Sequence, residues 1–207
     1  MKKQKELKNN NLKKIVKLFF EMGQLRRVRH IGFTCAGVDN PDSVAEHTAR
    51  VAQIGFILAD MEKADSYKVT VMCLFHDLGE ARVNDAHRIA TRYYSYFKLK
   101  NAEFRAFQDQ VSILPNKSGK TLLKLMSEFE ERKTLEAKCA KDADYLDQAV
   151  SAKEYIDIGY KGCKDWLKNI KKALKTESAK KLLSIIEKTD RNDWWDNLKD
   201  LKEVLSK

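Results

Sequence analysis

The sequence predicts an all-α protein, and three observations carry that expectation. Lys, Leu, Ala and Glu are abundant, and these residues favour helix. Only two prolines, Pro41 and Pro115, and eight glycines punctuate 207 residues. No long run of Val, Ile and Thr alternates as a strand would. With 43% hydrophobic residues, a chain of this length suits one large domain, or a domain with a small appendage. The expected organisation is a single domain over 1–207, with a core at about 12–160 and a C-terminal helical extension over 161–207.

The elements follow in order. Residues 1–10 are charged and polar and are expected to fray. Residues 12–27 read as an amphipathic helix with Leu12, Ile15, Val16, Phe19, Phe20 and Met22 on or near one stripe. Residues 28–42 read as non-helical and hold Arg29, His30, Gly32, Phe33, Gly37 and Pro41. That is long for a structureless connection, and long loops often carry function. Ser43 and Glu46 then form a capping box, each side chain reaching the other's backbone N–H. Val44, His47, Val51, Ile54 and Leu58 repeat at spacings of 3, 4, 3 and 4, so His47 lies on the core-facing stripe. A histidine there is either a hydrogen-bonded core residue or a ligand.

Residues 65–76 form the second strongly patterned helix, with Val69, Met72, Cys73 and His76 on one face. Gly79 is expected to let the backbone bend, so that the adjacent His76 and Asp77 serve one site. Residues 88–98 and 102–114 are expected to be helical, with Tyr93, Tyr94, Tyr96, Phe97, Phe104 and Phe107 packed against neighbours. The PNKSG segment at 115–119 reads as a turn, and 121–132 as a helix. Residues 134–158 read as a long helix striped by Leu135, Cys139, Ala143, Leu146 and Val150. Asp142, Asp144 and Asp147 interrupt that stripe. Asp142 and Asp144 are about 200° apart on a helix, so only one is expected to point inward. The small Ala140 and Ala143 leave room for Asp144. Three short helices are expected at 166–174, 178–187 and 193–205, with one of Trp194 and Trp195 anchoring the tail and the other meeting solvent or a partner.

The bulk numbers bound the partners. The formal net charge of +10 suits nucleic acid, an anionic surface or phosphorylated substrates. Much of the excess sits in pairs such as Lys13-Lys14 and Lys171-Lys172 on apparent helix exteriors, which reads as a solvated surface. No nucleic-acid motif accompanies it, so nucleic acid is not the expected partner. Cys35, Cys73, Cys139 and Cys163 form no CxxC, which argues against a disulfide framework or a cysteine zinc knuckle and fits a reducing, cytoplasmic location. No signal peptide is expected, because residues 1–12 are polar and Lys-rich. No apolar stretch approaches the ~20 residues that span a bilayer, so no membrane partner is expected.

The chemistry-bearing residues make the pattern H…HD…D: His47, His76-Asp77 and Asp144. Two imidazoles and two carboxylates suit a divalent ion, and such a mixed set does not select one: Mn, Co, Fe, Ni and Zn all fit, Mg less well. Their contexts are PDSVAEH, LFHDLGE and AKDADYLDQA. Together with Asp85, these resemble the HD-domain phosphohydrolase superfamily, and within it the subgroup of bacterial 5′-deoxynucleotidases and their archaeal and eukaryotic relatives. The resemblance runs from about Leu25 to Tyr160, and more weakly through KTESAK and Trp194-Trp195.

The resemblance implies an HD-domain helical bundle with one divalent transition metal at its centre and short C-terminal helices. It implies a phosphoric monoester hydrolase acting on (deoxy)nucleoside 5′-monophosphates, in which a metal-bound water attacks phosphorus and releases nucleoside and phosphate. Glu80 and Asp85 match its catalytic positions: Glu80 orients or deprotonates the water, and Asp85 positions water or assists the leaving oxygen. Asp85 is equally placed to cap a helix starting near His87. Relatives carry an Arg shortly before a Trp that meets phosphate and sugar. Here Arg29 or His30 stands for the Arg, and Phe33 replaces the Trp and lacks its N–H, which puts sugar discrimination in question. Relatives are often homodimers, so a homodimer is expected. The alternatives are another HD-type nucleotide phosphohydrolase or phosphodiesterase, or a non-catalytic nucleotide-binding module.

Overall fold

The computed structural model describes residues 2–196 and residue 198. Among them the chain is all-α, with ten helices: α1 (Lys2–Met22), α2 (Val44–Met61), α3 (Ser66–Phe75), α4 (Glu80–Val83), α5 (Tyr96–Ser112), α6 (Asn116–Glu131), α7 (Leu135–Asp157), α8 (Lys164–Ala173), α9 (Glu177–Ile186) and α10 (Asp193–Asp196). Short 3-10 turns at Gly23–Arg26, Ile31–Ala36, Arg88–Arg92 and Lys161–Cys163 join them. One isolated antiparallel bridge, Arg29 to Ser43, closes the loop before α2. No helix among the described residues is long and apolar enough to cross a membrane.

The caps begin the helices where the sequence places them. Ser43 Oγ accepts from Glu46 N–H, and Ser43 N–H donates to Glu46 Oε2 at 2.7 Å, a complete capping box on α2. Asp65 caps α3 by accepting from Lys68 N–H, and Thr134 caps α7 by accepting from Ala137 N–H. Each cap satisfies an N–H that the helix itself leaves without a partner, an effect of about 1 kcal/mol.

Helix α7 is the axis of the bundle. It packs against α2, α3, α6, α8 and α9. Its alanines at 137, 140, 143, 149 and 152 are all fully buried, and side chains this small let neighbours close in from several sides. Val44, Val51 and Leu58 of α2 and Val69, Met72 and Cys73 of α3 complete the core beside it. A Cβ on Gly55 would lie 2.6 Å from Cys73 Sγ, so the α2–α3 crossing is as close as a glycine allows. With neighbours on all sides, Asp142, Asp144 and Asp147 are all buried. The expectation that only one of Asp142 and Asp144 points inward is corrected: the two do diverge, but both directions lead into protein.

Other expectations are also corrected. Residues 2–10 are helical, continuous with α1. On α1 it is Leu18 that is buried, while Leu12, Val16, Phe19 and Phe20 are exposed, because over residues 9–22 the helix turns only one narrow side to the bundle. Residues 88–98 are not one helix: a 3-10 turn ends at Arg92 and α5 starts at Tyr96. Tyr93, Tyr94, Tyr96 and Phe97 are exposed, since α5 buries only its C-terminal half at Ala106, Phe107, Gln110 and Val111. The PNKSG segment starts α6 instead of turning, with Pro115 at the cap, where its missing N–H costs nothing. Trp194 and Trp195 stack on each other at 5.7 Å and both are exposed, so neither anchors the tail into the core. Of the helix expected at 193–205, residues 197 and 199–205 lie outside the described residues.

Gly79 also differs from expectation. Its backbone is right-handed helical, at φ −58° and ψ −30°, so no special bend is made there. What it supplies is closeness. A Cβ on Gly79 would overlap the Glu103 carbonyl oxygen and lie 3.1 Å from the carbonyl carbon, on α5. Gly79→Ala should therefore lower the unfolding free energy by about 1–3 kcal/mol, as overpacking does. Urea denaturation checks this; an unchanged midpoint would show that α5 is free to shift.

Candidate metal centre

His47 comes from the second turn of α2, His76 from the C-cap of α3, Asp77 from the residue after it, and Asp144 from the middle of α7. The fold brings these four together. One ligand atom each from His47, His76 and Asp144 lies within 4.8 Å of the others. Asp77 Oδ2 is 2.9 Å from His76 Nε2 and 3.5 Å from His47 Nε2, and Asp144 Oδ1 is 3.4 Å from His47 Nε2.

Both imidazoles are aimed by a bond on the far side of the ring. His47 Nδ1 lies 2.6 Å from the buried Asp147 Oδ2, and His76 Nδ1 lies 2.7 Å from the Cys73 carbonyl oxygen. With Nδ1–H donating to these oxygens, each ring turns an Nε2 lone pair inward. Both Nε2 atoms are buried and neither makes a well-aligned hydrogen bond, although Asp77 Oδ2 stands 2.9 Å from that of His76. A buried nitrogen so placed is costly unless something occupies its lone pair, and two of them converging on two carboxylates fit a divalent cation. The carboxylate behind a ligating histidine is a recurrent device of metal sites. Here Arg50 holds Asp147 from behind through Nε, and its other nitrogens donate to Ser151 Oγ and Glu154.

Burial lowers the His47 and His76 imidazoles, but the Asp144, Asp147 and Asp77 carboxylates outweigh it and raise both, so an ion binding the two Nε2 atoms would take the place of protons. Burial raises the Asp144 carboxyl, but Lys141, His47 and His76 outweigh it and hold the group well below the usual carboxylate range. Lys141 Nζ is 2.5 Å from Asp144 Oδ2, and Gln148 Nε2 donates to Asp144 Oδ1 at 2.7 Å. Burial likewise raises Asp77, and His76 and His47 overcome it. Both carboxylates are therefore ionised at neutral pH, as metal ligation requires.

The other sequence candidates fall into three groups. Glu80 opens α4 and is 92% buried, and its Oε2 has no hydrogen-bond partner. One oxygen each from Asp77, Glu80 and Glu103 lies within 4.8 Å of the others. Burial first, then the Asp77, Asp85 and Glu103 carboxylates, push the Glu80 carboxyl well above its usual range. Asp85 accepts from Ile31 N–H at 2.9 Å, which ties the loop before α2 to the segment after α4. His87, not Asp85, caps the 3-10 turn at Arg88–Arg92.

His30 and Arg29 separate. The His30 ring lies 4.2 Å from the His47 ring, whereas Arg29 donates to the Pro41 carbonyl oxygen at 3.3 Å. Of the two, His30 is the one at the centre, and Arg29 fastens its loop. Phe33 is only 2% exposed; Tyr155 meets its ring edge-on, and Trp166 stacks on it at 5.0 Å and 21°. A cavity of about 320 Å³ opens beside the cluster, with His30, Asp85, Arg88, Gln148, Trp166 and Asn169 among its walls. Arg50, Lys141, Asp147, Gln148 and Trp166 were not singled out by the sequence as site residues. Only Asp147 carried a signal, as the third aspartate of its run, one turn beyond Asp144.

The HD domain family pattern matches residues 22–187. The Dictyostelium discoideum protein named 5′-deoxynucleotidase HDDC2 is 33% identical over 147 residues, 66% of this chain and 75% of its own length. The structure of a conserved hypothetical protein from Pyrococcus furiosus superposes with a TM-score of 0.70 at 28% identity, over 84% of this chain and 99% of that one. A predicted metal-dependent phosphohydrolase from Magnetospirillum magnetotacticum shares the fold, with a TM-score of 0.65 at 18% identity over 86% of this chain and 91% of that one.

His76→Ala and Asp144→Ala should each bring bound metal below one ion per chain. Asp147→Ala should weaken metal affinity about 10- to 100-fold, the usual effect of losing the group behind a ligating histidine. Asp142→Ala should keep the metal but lose about 1–3 kcal/mol of stability, because Asp142 accepts from Lys175 N–H, Thr176 N–H and Thr176 Oγ1 at the start of α9. Elemental analysis and denaturation of the four variants separate these outcomes.

Proposed function

The chain belongs to the HD domain family, and we propose that it is a divalent-metal-dependent phosphohydrolase that hydrolyses nucleoside 5′-monophosphates, deoxynucleotides foremost, to nucleoside and inorganic phosphate. The observation that carries this reading is the pair of buried Nε2 atoms facing two ionised carboxylates, beside a cavity at the small-molecule end of the usual size range. The deoxynucleotide preference is supported by the name of the Dictyostelium relative.

His47, His76, Asp77 and Asp144 would hold the ion, one of Mn, Co, Fe, Ni or Zn, since this mixed nitrogen and oxygen set does not select among them. When bound, the ion supplies Lewis-acid polarisation of a phosphoryl oxygen and acidifies coordinated water. The protein does the rest. Glu80 orients the attacking water and takes up its proton; its buried, unpartnered Oε2 supports that role. As the water oxygen bonds to phosphorus, the P–O5′ bond breaks and the leaving oxygen must end protonated. Asp85 stands on the cavity wall to position water or assist that oxygen. His30 packs on His47 and lines the cavity, with its Nδ1 facing Asp42 Oδ2 at 3.6 Å, and is the better of the two phosphate candidates.

The organisation belongs to the same reading. One domain carries the site, and the four free cysteines support a reducing, cytoplasmic location. The exposed apolar row Leu12, Val16, Phe19 and Phe20 on α1 supports a homodimer, and sedimentation velocity should return twice the chain mass.

Metal-loaded protein should release phosphate from nucleoside monophosphates, fastest from the deoxy series. Glu80→Gln should lower that rate about 100-fold or more while keeping at least one ion per chain. Mass spectrometry of the products decides between readings. Release of pyrophosphate or of a linear dinucleotide would replace the monophosphatase with another HD-type hydrolase. Tight nucleotide binding with no phosphate from any nucleotide would make the chain a binding module.

A further inference from the structure

The position expected to offer an aromatic surface to substrate is occupied by Phe33, and Phe33 has no face to give. It is 2% exposed, met edge-on by Tyr155 and stacked by Trp166. Tyr145 and Trp166 also line the cavity, and of these it is Trp166 that lies on Phe33. Trp166 is on α8, a helix in the C-terminal extension that carries none of the metal-centre residues.

One face of α8 builds this wall. Asp165, Trp166, Asn169, Ile170 and Ala173 all line the cavity, and positions 166, 169/170 and 173 recur at helical spacing. The indole is held in place from behind. Phe33 backs it, and the main chain before Phe33 is close enough that a Cβ on Gly32 would lie 3.6 Å from Trp166 Cζ2. The same cavity reaches the metal centre through Gln148, which donates to Asp144, and His30, which packs on His47. A ligand spanning the cavity thus has its phosphate end at the ion and its other end at α8. Asn169, one turn after Trp166, adds an amide that can both donate and accept. A rigid flat face with an amide beside it is what a nucleobase requires.

We propose that Trp166 is the base-binding residue of this chain: the indole, backed by Phe33, is the surface on which the nucleobase of the substrate lies. This rests on the nucleotidase reading and adds to it. The aromatic recognition surface is supplied from the C-terminal extension, and Phe33 of the loop before α2 backs it.

Two measurements test this. In the first, Trp166→Ala and Trp166→Phe are compared with the native enzyme on deoxynucleoside monophosphates and on 2-deoxyribose 5-phosphate, which has the phosphate and sugar but no base. Trp166→Ala should raise KM for the nucleotides roughly 5- to 150-fold, the range that loss of base–aromatic stacking supports. KM for the base-free ester and kcat for both should hold, and Trp166→Phe should recover most of the affinity. In the second, Trp194→Phe/Trp195→Phe leaves Trp166 as the only tryptophan, and its fluorescence is followed with deoxyadenosine and with 2-deoxyribose 5-phosphate. Saturable quenching by the nucleoside alone is expected. Equal KM increases for nucleotide and base-free ester, or equal quenching by both, would overturn the proposal. Loss of all activity and metal in Trp166→Ala would leave the fluorescence to decide: no quenching by deoxyadenosine overturns it. If native enzyme releases no phosphate from any monophosphate, the nucleotidase reading itself has failed; if it does and the Trp166 variants match it, only this inference has.

Discussion

A helix enclosed on every side can carry carboxylates only if each one finds a partner, because an unmatched buried charge is among the most unfavourable groups a core can hold. Helix α7 meets that condition three times within six residues. Asp142 takes the free N–H groups at the start of α9. Asp144 takes Lys141 and Gln148 and faces the imidazoles. Asp147 takes His47 and Arg50. The three point to different neighbours, so one run of sequence docks the C-terminal helices, supplies a carboxylate to the candidate metal centre and orients one of its imidazoles.

The centre is built so that few of its parts can move alone. His47 is set by Asp147, which is set by Arg50, which is itself tied to Ser151 and Glu154 on the same helix. His76 is set by a carbonyl of its own helix, three residues back. Side chains aimed in this way would lose little freedom on binding an ion, and such preorganisation favours affinity. The acidic side around Glu80 and Glu103 contrasts with this. Its closeness depends on Gly79, whose missing Cβ lets α5 bring Glu103 up to Asp77 and Glu80.

The C-terminal helices are part of the same working unit. Helix α8 walls the cavity, and α9 is fastened through Asp142 to the helix that carries Asp144. The family match, which continues to residue 187, takes in both.

Local chemistry was legible in the sequence. Ser43, Asp65 and Thr134 start α2, α3 and α7 through bonds to their own neighbours, and the Ser43–Glu46 box could be read without a fold. The inward placement of His47 and His76 followed from helical period, and the spacing of His47, His76-Asp77 and Asp144 marked four residues that the structure brings together. What distant elements do to one another was not legible. Burial of both Asp142 and Asp144, the placement of His30 and not Arg29 beside His47, and the exposure of Phe19, Phe20 and Tyr93 each depend on which element lies alongside. Trp166 is the clearest case. Nothing in its own sequence context separates a cavity wall from an ordinary amphipathic helix; it lies against Phe33 only because α8 folds back over the loop before α2. Hydrogen bonds within a turn are decided by sequence neighbours, and contacts across the bundle by packing, and only the tertiary structure contains the second.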